Sequence, residues 1–179
     1  MDNFYRNSPG CDRQCIEMIS TGNEIKDLTV ESLVSQIVER FGMAKNVFFI
    51  GLCSSIEKAQ ATLDNNRRPY ILYNPAFLKE VRTMRFTNDA SKGLSSESWE
   101  TLAIFALEIA HHWNYHLINS GPNATFHEME LVADETAAFI LYRLGASLTE
   151  SQRVMCCSLV SETGSSTNPA RSMRFGSNK

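Results

Sequence analysis

Apolar positions change their spacing from segment to segment along the chain, and each change marks an element. Leu33, Ile37, Val38 and Phe41 recur at three to four residues, which predicts a helix opening near Thr29-Val30-Glu31-Ser32 and stopped by Gly42. Asn46-Val47-Phe48-Phe49-Ile50 and Tyr70-Ile71-Leu72-Tyr73 are short β-branched and aromatic runs, hence two strands, the second closed by Asn74-Pro75. The polar stretch 54–68 between them suits an irregular crossing or a further strand, and 76–84 returns to helical composition. After a loop-like, serine-rich stretch at 87–97, Ser98 is placed to cap a long helix from Trp99 to about His116. Asn119-Ser120-Gly121-Pro122-Asn123 breaks the chain. A second long helix follows over 126–144, ended by Gly145, and a third runs from Thr149 to about Ser161. Helix, short strands, then a run of helices predicts an α+β fold and not an alternating parallel sheet. Residues 1–25 read as a loosely ordered lead-in, 26–163 as one folded domain, and 164–179 as a flexible tail.

Composition narrows the class. With 43% hydrophobic and 21% charged residues in 179, a packed core is feasible and disorder is not the default. The net charge of −3 and the lack of a Lys/Arg block argue against nucleic acid as a partner, since phosphate binding needs a basic face. The most apolar stretch, 101–110, contains Glu108 and falls short of the ~20 residues a membrane span needs. The N-terminal residues hold no apolar secretory segment, so the expectation is a cytoplasmic protein with reduced thiols at Cys11, Cys15, Cys53, Cys156 and Cys157. Cys11 and Cys15 have no second cysteine pair to complete a zinc knuckle, and the sequon Asn123-Ala124-Thr125 reads as accidental. Phe48, Phe49, Tyr70 and Tyr73 are expected to bury their rings, Trp99 and Trp113 to pack helices, and Arg67-Arg68 to lie in a solvated turn.

Candidate chemistry is concentrated. All four histidines lie between His111 and His127, with Glu108, Glu128, Glu130, Asp134 and Glu135 in or beside the same window. Glu108 interrupts an otherwise apolar turn made by Ile104, Phe105, Ala106, Leu107, Ile109 and Ala110, so partial burial is expected. A buried carboxylate needs a partner, which points to a site.

Leu107-Glu108-Ile109-Ala110-His111 resembles the zincin signature H-E-x-x-H with its first histidine replaced. In that signature residues i and i+4 share one helical face, so two imidazoles converge on zinc while the glutamate serves the metal-bound water as general base. Glu130-Leu131-Val132-Ala133-Asp134 is similar to the E-x-x-A-D motif of M48-type zinc metallopeptidases. The segment Arg68-Pro69-Tyr70-Ile71-Leu72-Tyr73-Asn74-Pro75-Ala76-Phe77-Leu78 resembles the strand and helix that precede the zinc helix there. His111-His112-Trp113-Asn114-Tyr115-His116, Ala137-Ala138-Phe139 and Leu144-Gly145-Ala146 are also similar to that family. Thr167-Asn168-Pro169, with Arg171 and Arg174, resembles a degraded T-H-P…R motif.

The resemblance implies a zincin-like domain over 26–163, mainly helical with a small sheet packed on the active-site helix. It implies zinc held by His111 and Glu130, Glu108 as general base, Asp134 supporting the ligands, and a peptide or protein as substrate or ligand. Leu107 stands where the third ligand belongs, and leucine has no lone pair to offer. Three protein ligands and an open position make a catalytic zinc site, so zinc should be held weakly or not at all and hydrolysis should be impaired. His112 and His116 point about 140° around the helix from the face of Leu107 and His111, so they cannot replace it. His127, near the start of the next helix, is freer. Two readings remain: an M48-like metallopeptidase disabled at position 107, or a natural pseudo-peptidase that binds a peptide or partner protein.

Overall fold

The computed structural model describes residues 11–21, 27–83, 99–115 and 125–157. The fold is α+β and mostly helical, with six helices and one three-stranded sheet among these residues. In chain order the elements are α1 (Cys11–Ser20), α2 (Leu28–Glu39), β1 (Phe49–Leu52), β2 (Ala59–Leu63), β3 (Pro69–Tyr73), α3 (Pro75–Thr83), α4 (Trp99–Trp113), α5 (Phe126–Leu144) and α6 (Leu148–Cys157). They fall into two compact units, Met1–Ala90 and Ser91–Lys179, where one domain over 26–163 was expected. The loop at 87–97, the break at 119–123, His116, Asn168 and the tail at 164–179 lie outside the described residues.

In the N-terminal unit the sheet has the order β1-β3-β2, β1 running parallel to β3 and β2 antiparallel to it. Tyr70, Ile71, Leu72 and Tyr73 are all buried, so β3 is covered on both faces, as its unbroken apolar run requires. The polar stretch before it does contain a further strand, β2, held by its pairing with β3. Asp64 organises the turn between them, accepting from the backbone N–H of Asn66 and Arg68 (2.8 Å each) and from Arg68 Nε (2.6 Å). Burial would raise the Asp64 pKa, but the bonds from Arg68 and Asn66 outweigh it and hold the carboxyl below its usual range. Arg68 is thus paired, not merely solvated, and its guanidinium sits 5.1 Å above the Phe49 ring. Phe49 was expected to be buried; it is 40% exposed and is stacked on Tyr70 at 5.0 Å. Asn74 closes the strand by capping α3, its Oδ1 accepting from Ala76 N at 2.9 Å, with Pro75 at the first helical position.

The N-terminal residues hold the main correction. Residues 11–20, read as part of a loose lead-in, form α1, and Cys15 is disulfide-bonded to Cys53 with Cα atoms 5.6 Å apart. Reduced thiols were expected from the odd number of cysteines and the lack of an apolar secretory segment, and nothing local in the sequence relates two cysteines 38 positions apart. Cys15 and Cys53 cluster with Ile56, Tyr70 and Leu72, and Ile16 and Ile19 of α1 pack against the same group. Few apolar residues anchor α1, so the covalent tie carries much of its docking. Under the loop-entropy account, closing a loop of 38 residues contributes about 3–4 kcal/mol. Cys15→Ala with Cys53→Ala should therefore lower the unfolding free energy by about that amount in urea titrations. Non-reducing peptide mapping should recover Cys15 and Cys53 on one linked peptide.

Candidate functional site

The site lies within the C-terminal unit, on α4 and α5, and begins with the reasons those helices form. α4 has alanine, the best helix former, at 103, 106 and 110, and nearly every side of the helix is buried. Its start is tied to α6: Trp99 Nε1 donates to Glu150 Oε1 at 2.9 Å, and Arg153 Nη2 lies 3.7 Å from Glu100 Oε1. Glu150 also accepts from Ser147 N at 2.7 Å while Ser147 Oγ accepts from Glu150 N at 3.2 Å, a reciprocal cap that starts α6. That S-x-x-E pattern was readable in the sequence and places the helix start just ahead of Thr149.

The bounds of α5, Phe126–Leu144, are those the sequence predicts. Thr125 caps it: Glu128 N donates to Thr125 Oγ1 at 3.2 Å, and Glu128 Oε2 accepts from Thr125 N at 2.8 Å. At the other end Gly145 adopts φ 107°, a left-handed conformation that favours glycine. Gly145 N donates to Tyr142 O and Ala146 N to Leu141 O, each at 3.0 Å, which satisfies the last carbonyls.

Ala133 and Ala137 of α5 and Ala103, Ala106 and Ala110 of α4 are fully buried, and α4 and α5 share the most extensive interface of any two elements. Small side chains let the two backbones approach closely. The closeness brings the two motifs together: His111 Nε2 lies 3.3 Å from Glu130 Oε1, both side chains buried. Glu108 and Asp134, one on each helix, are buried as well. Three carboxylates and an imidazole withdrawn from water on one pair of helices are costly unless partnered, which makes these helices the place to look for a site.

Leu107 differs from its neighbours. Of residues 99–111 on α4, it alone is not buried. It stands one turn before His111, on the same side of the helix. The position that the zincin resemblance assigns to a ligand is therefore the least enclosed point in the middle of α4, half-buried where its neighbours are buried. His112 and His127 are half-buried, and α4 ends at Trp113, with Tyr115 left-handed at φ 56°, before the predicted end.

Two donors on a tetrahedral zinc, each about 2.0–2.1 Å from the ion, sit about 3.3 Å apart. His111 Nε2 and Glu130 Oε1 have that separation, which equally suits direct contact between an imidazole and a carboxylate. A third donor is needed, and among the described residues no three of His, Cys, Asp or Glu are gathered to hold a metal ion. The described residues therefore do not fit a complete zinc centre. Compared with known protein families, curated proteins and solved structures, the chain matches none.

The cap of α5 yields a test of how the site is supported. The bond from the Thr125 backbone N–H, then the one from its hydroxyl, hold the Glu128 carboxyl below its usual pKa against the opposing effect of burial. A carboxylate depressed in the folded state stabilises above its unfolded pKa, and that contribution is lost as pH falls through the folded value. Helicity followed by circular dichroism should thus separate Glu128→Gln from the parent at neutral pH, and the two should converge in acid. Thr125→Ala should cost about 1 kcal/mol in urea unfolding.

Proposed function

We propose that this chain is an M48-like zinc metallopeptidase in design, zincin-like in fold, with its hydrolytic site impaired by Leu107. The observation that carries the reading is the 3.3 Å approach of His111 Nε2 to Glu130 Oε1, one residue from each family-like motif. The burial of Glu108 and Asp134 on the same two helices supports it, and Leu107 is half-buried one turn before His111. In an intact centre zinc would acidify a bound water. Glu108 is the residue placed one turn from His111 to accept a proton, and Asp134 lies one turn beyond Glu130 on α5. With leucine at 107 that chemistry lacks its ligand set.

The alternative is a pseudo-peptidase that binds a peptide or protein partner. The half-buried apolar side chain of Leu107, at the position where the family resemblance puts a ligand, is the feature that favours it. In either case the ligand is a peptide or protein and not nucleic acid, in keeping with the charge of −3. No helix among the described residues is long and apolar enough to cross a membrane. The Cys15–Cys53 disulfide favours folding in an oxidising compartment over the cytoplasmic placement, because such bonds are rare in reducing cytosol.

Leu107→His restores the missing donor and tests the reading. After zinc loading and dialysis the variant should retain equimolar zinc by elemental analysis. It should also cleave a denatured protein or members of a peptide library, and Glu108→Gln on that background should slow cleavage by about 10²–10⁴-fold. Zinc uptake without cleavage favours the binding module. Failure to take up zinc overturns the site assignment.

A further inference from the structure

The end of α4 carries a second link to α5 that neither motif contains. Asn114 follows the last residue of α4, where helix carbonyls run out of intrahelical donors. Its backbone N–H donates to Ala110 O at 2.9 Å, and its side-chain Nδ2 donates to the same oxygen at 2.9 Å. The other Nδ2 proton goes to Thr136 Oγ1 on α5, also at 2.9 Å. Thr136 Oγ1 in turn donates to Val132 O at 3.0 Å.

Every proton in this chain of bonds is assigned. A primary amide has two N–H groups, one for Ala110 O and one for Thr136 Oγ1. A hydroxyl has one, and here it goes to Val132 O. Turning the amide over would set its oxygen against the Ala110 carbonyl, so the network fixes the orientation of Asn114 as well as its rotamer.

We propose that Asn114 and Thr136 are positioning residues that set the register at which α4 presents His111 to Glu130. This deepens the metallopeptidase-like reading of the site, though the positioning itself is a property of the two helices. Asn114 lies about one turn beyond His111, and Thr136 lies beyond Glu130 on α5. A slide of α5 by one residue, about 1.5 Å along its axis, would break the directional Asn114–Thr136 bond and pull Glu130 from His111 together. The buried alanines of the interface have short side chains with little to interlock, so the bond adds a directional constraint to what their packing supplies. The hydrogen bond therefore reinforces one register of the two helices.

The test is whether the His111–Glu130 interaction depends on the clamp. A double-mutant cycle of His111→Ala and Glu130→Ala, read by urea unfolding, measures their coupling in the parent chain. The same cycle is then repeated in Thr136→Val, which keeps the shape but removes the hydroxyl, and in Thr136→Ser, which keeps the hydroxyl. The expected result is coupling in the parent and in Thr136→Ser, and its loss in Thr136→Val. Asn114→Leu removes the donor from the opposite helix and should give the same loss, so the cycle stays readable if one variant fails to fold. A structural role alone would lower stability and leave the coupling intact, and that result overturns the proposal; so does an absence of coupling in the parent chain. On the Leu107→His background, Thr136→Val should also weaken zinc affinity by about 10–100-fold while Thr136→Ser does not. Zinc uptake that is insensitive to Thr136→Val would refute the clamp and leave the metallopeptidase-like reading standing. No uptake in Leu107→His would refute that reading, and the coupling cycle would still decide the clamp.

Discussion

The 3.3 Å contact between His111 and Glu130 can exist only if α4 and α5 cross closely, and that demand organises the C-terminal unit. Close crossing needs small side chains on both helices, which Ala103, Ala106, Ala110, Ala133 and Ala137 supply. It also needs helix ends that do not drift, because a donor atom displaced by 1 Å no longer meets its partner. Thr125 and Glu128 start α5, Gly145 ends it, and Trp99 and Glu100 tie the start of α4 to Glu150 and Arg153 of α6. The alanines carry the proximity and the polar ends carry the register.

That arrangement runs against stability taken alone. Glu108, His111, Glu130 and Asp134 are ionisable groups held away from water, and apolar replacements of similar volume are often neutral or stabilising at such positions. Groups of this kind inside an otherwise alanine- and leucine-rich interface point to chemistry or recognition and not to folding. Leu107 is the reverse case, an apolar residue left only half-buried on the same helix. Polar groups are buried and an apolar group is only half-buried, one turn apart on the same helix.

How much of this was readable in the sequence depends on how local each signal is. The bounds of α5 follow from a Gly-Pro break before it and Gly145 after it, both short-range backbone signals. β3 announced itself by an unbroken apolar run, whereas Ala59–Leu63 carries too weak a pattern and becomes a strand through its neighbour. α1 was missed because its few apolar residues, Cys15, Ile16 and Ile19, gain meaning only against Tyr70, Leu72 and a disulfide to Cys53. Glu108, His111, Glu130 and Asp134 were named because the segments that hold them resemble two short family motifs, each contained in one helix. Asn114 and Thr136 were not, because their bond depends on how two helices cross and no single-helix period encodes that.

The most direct test of the central claim is where a metal goes when the missing donor is returned. Zinc-edge anomalous diffraction from crystals of Leu107→His grown with zinc locates the ion independently of activity or stability. The account predicts one strong anomalous peak about 2 Å from His111 Nε2, Glu130 Oε1 and the introduced imidazole together. A peak elsewhere on the chain, or one that touches His111 without Glu130, would contradict it.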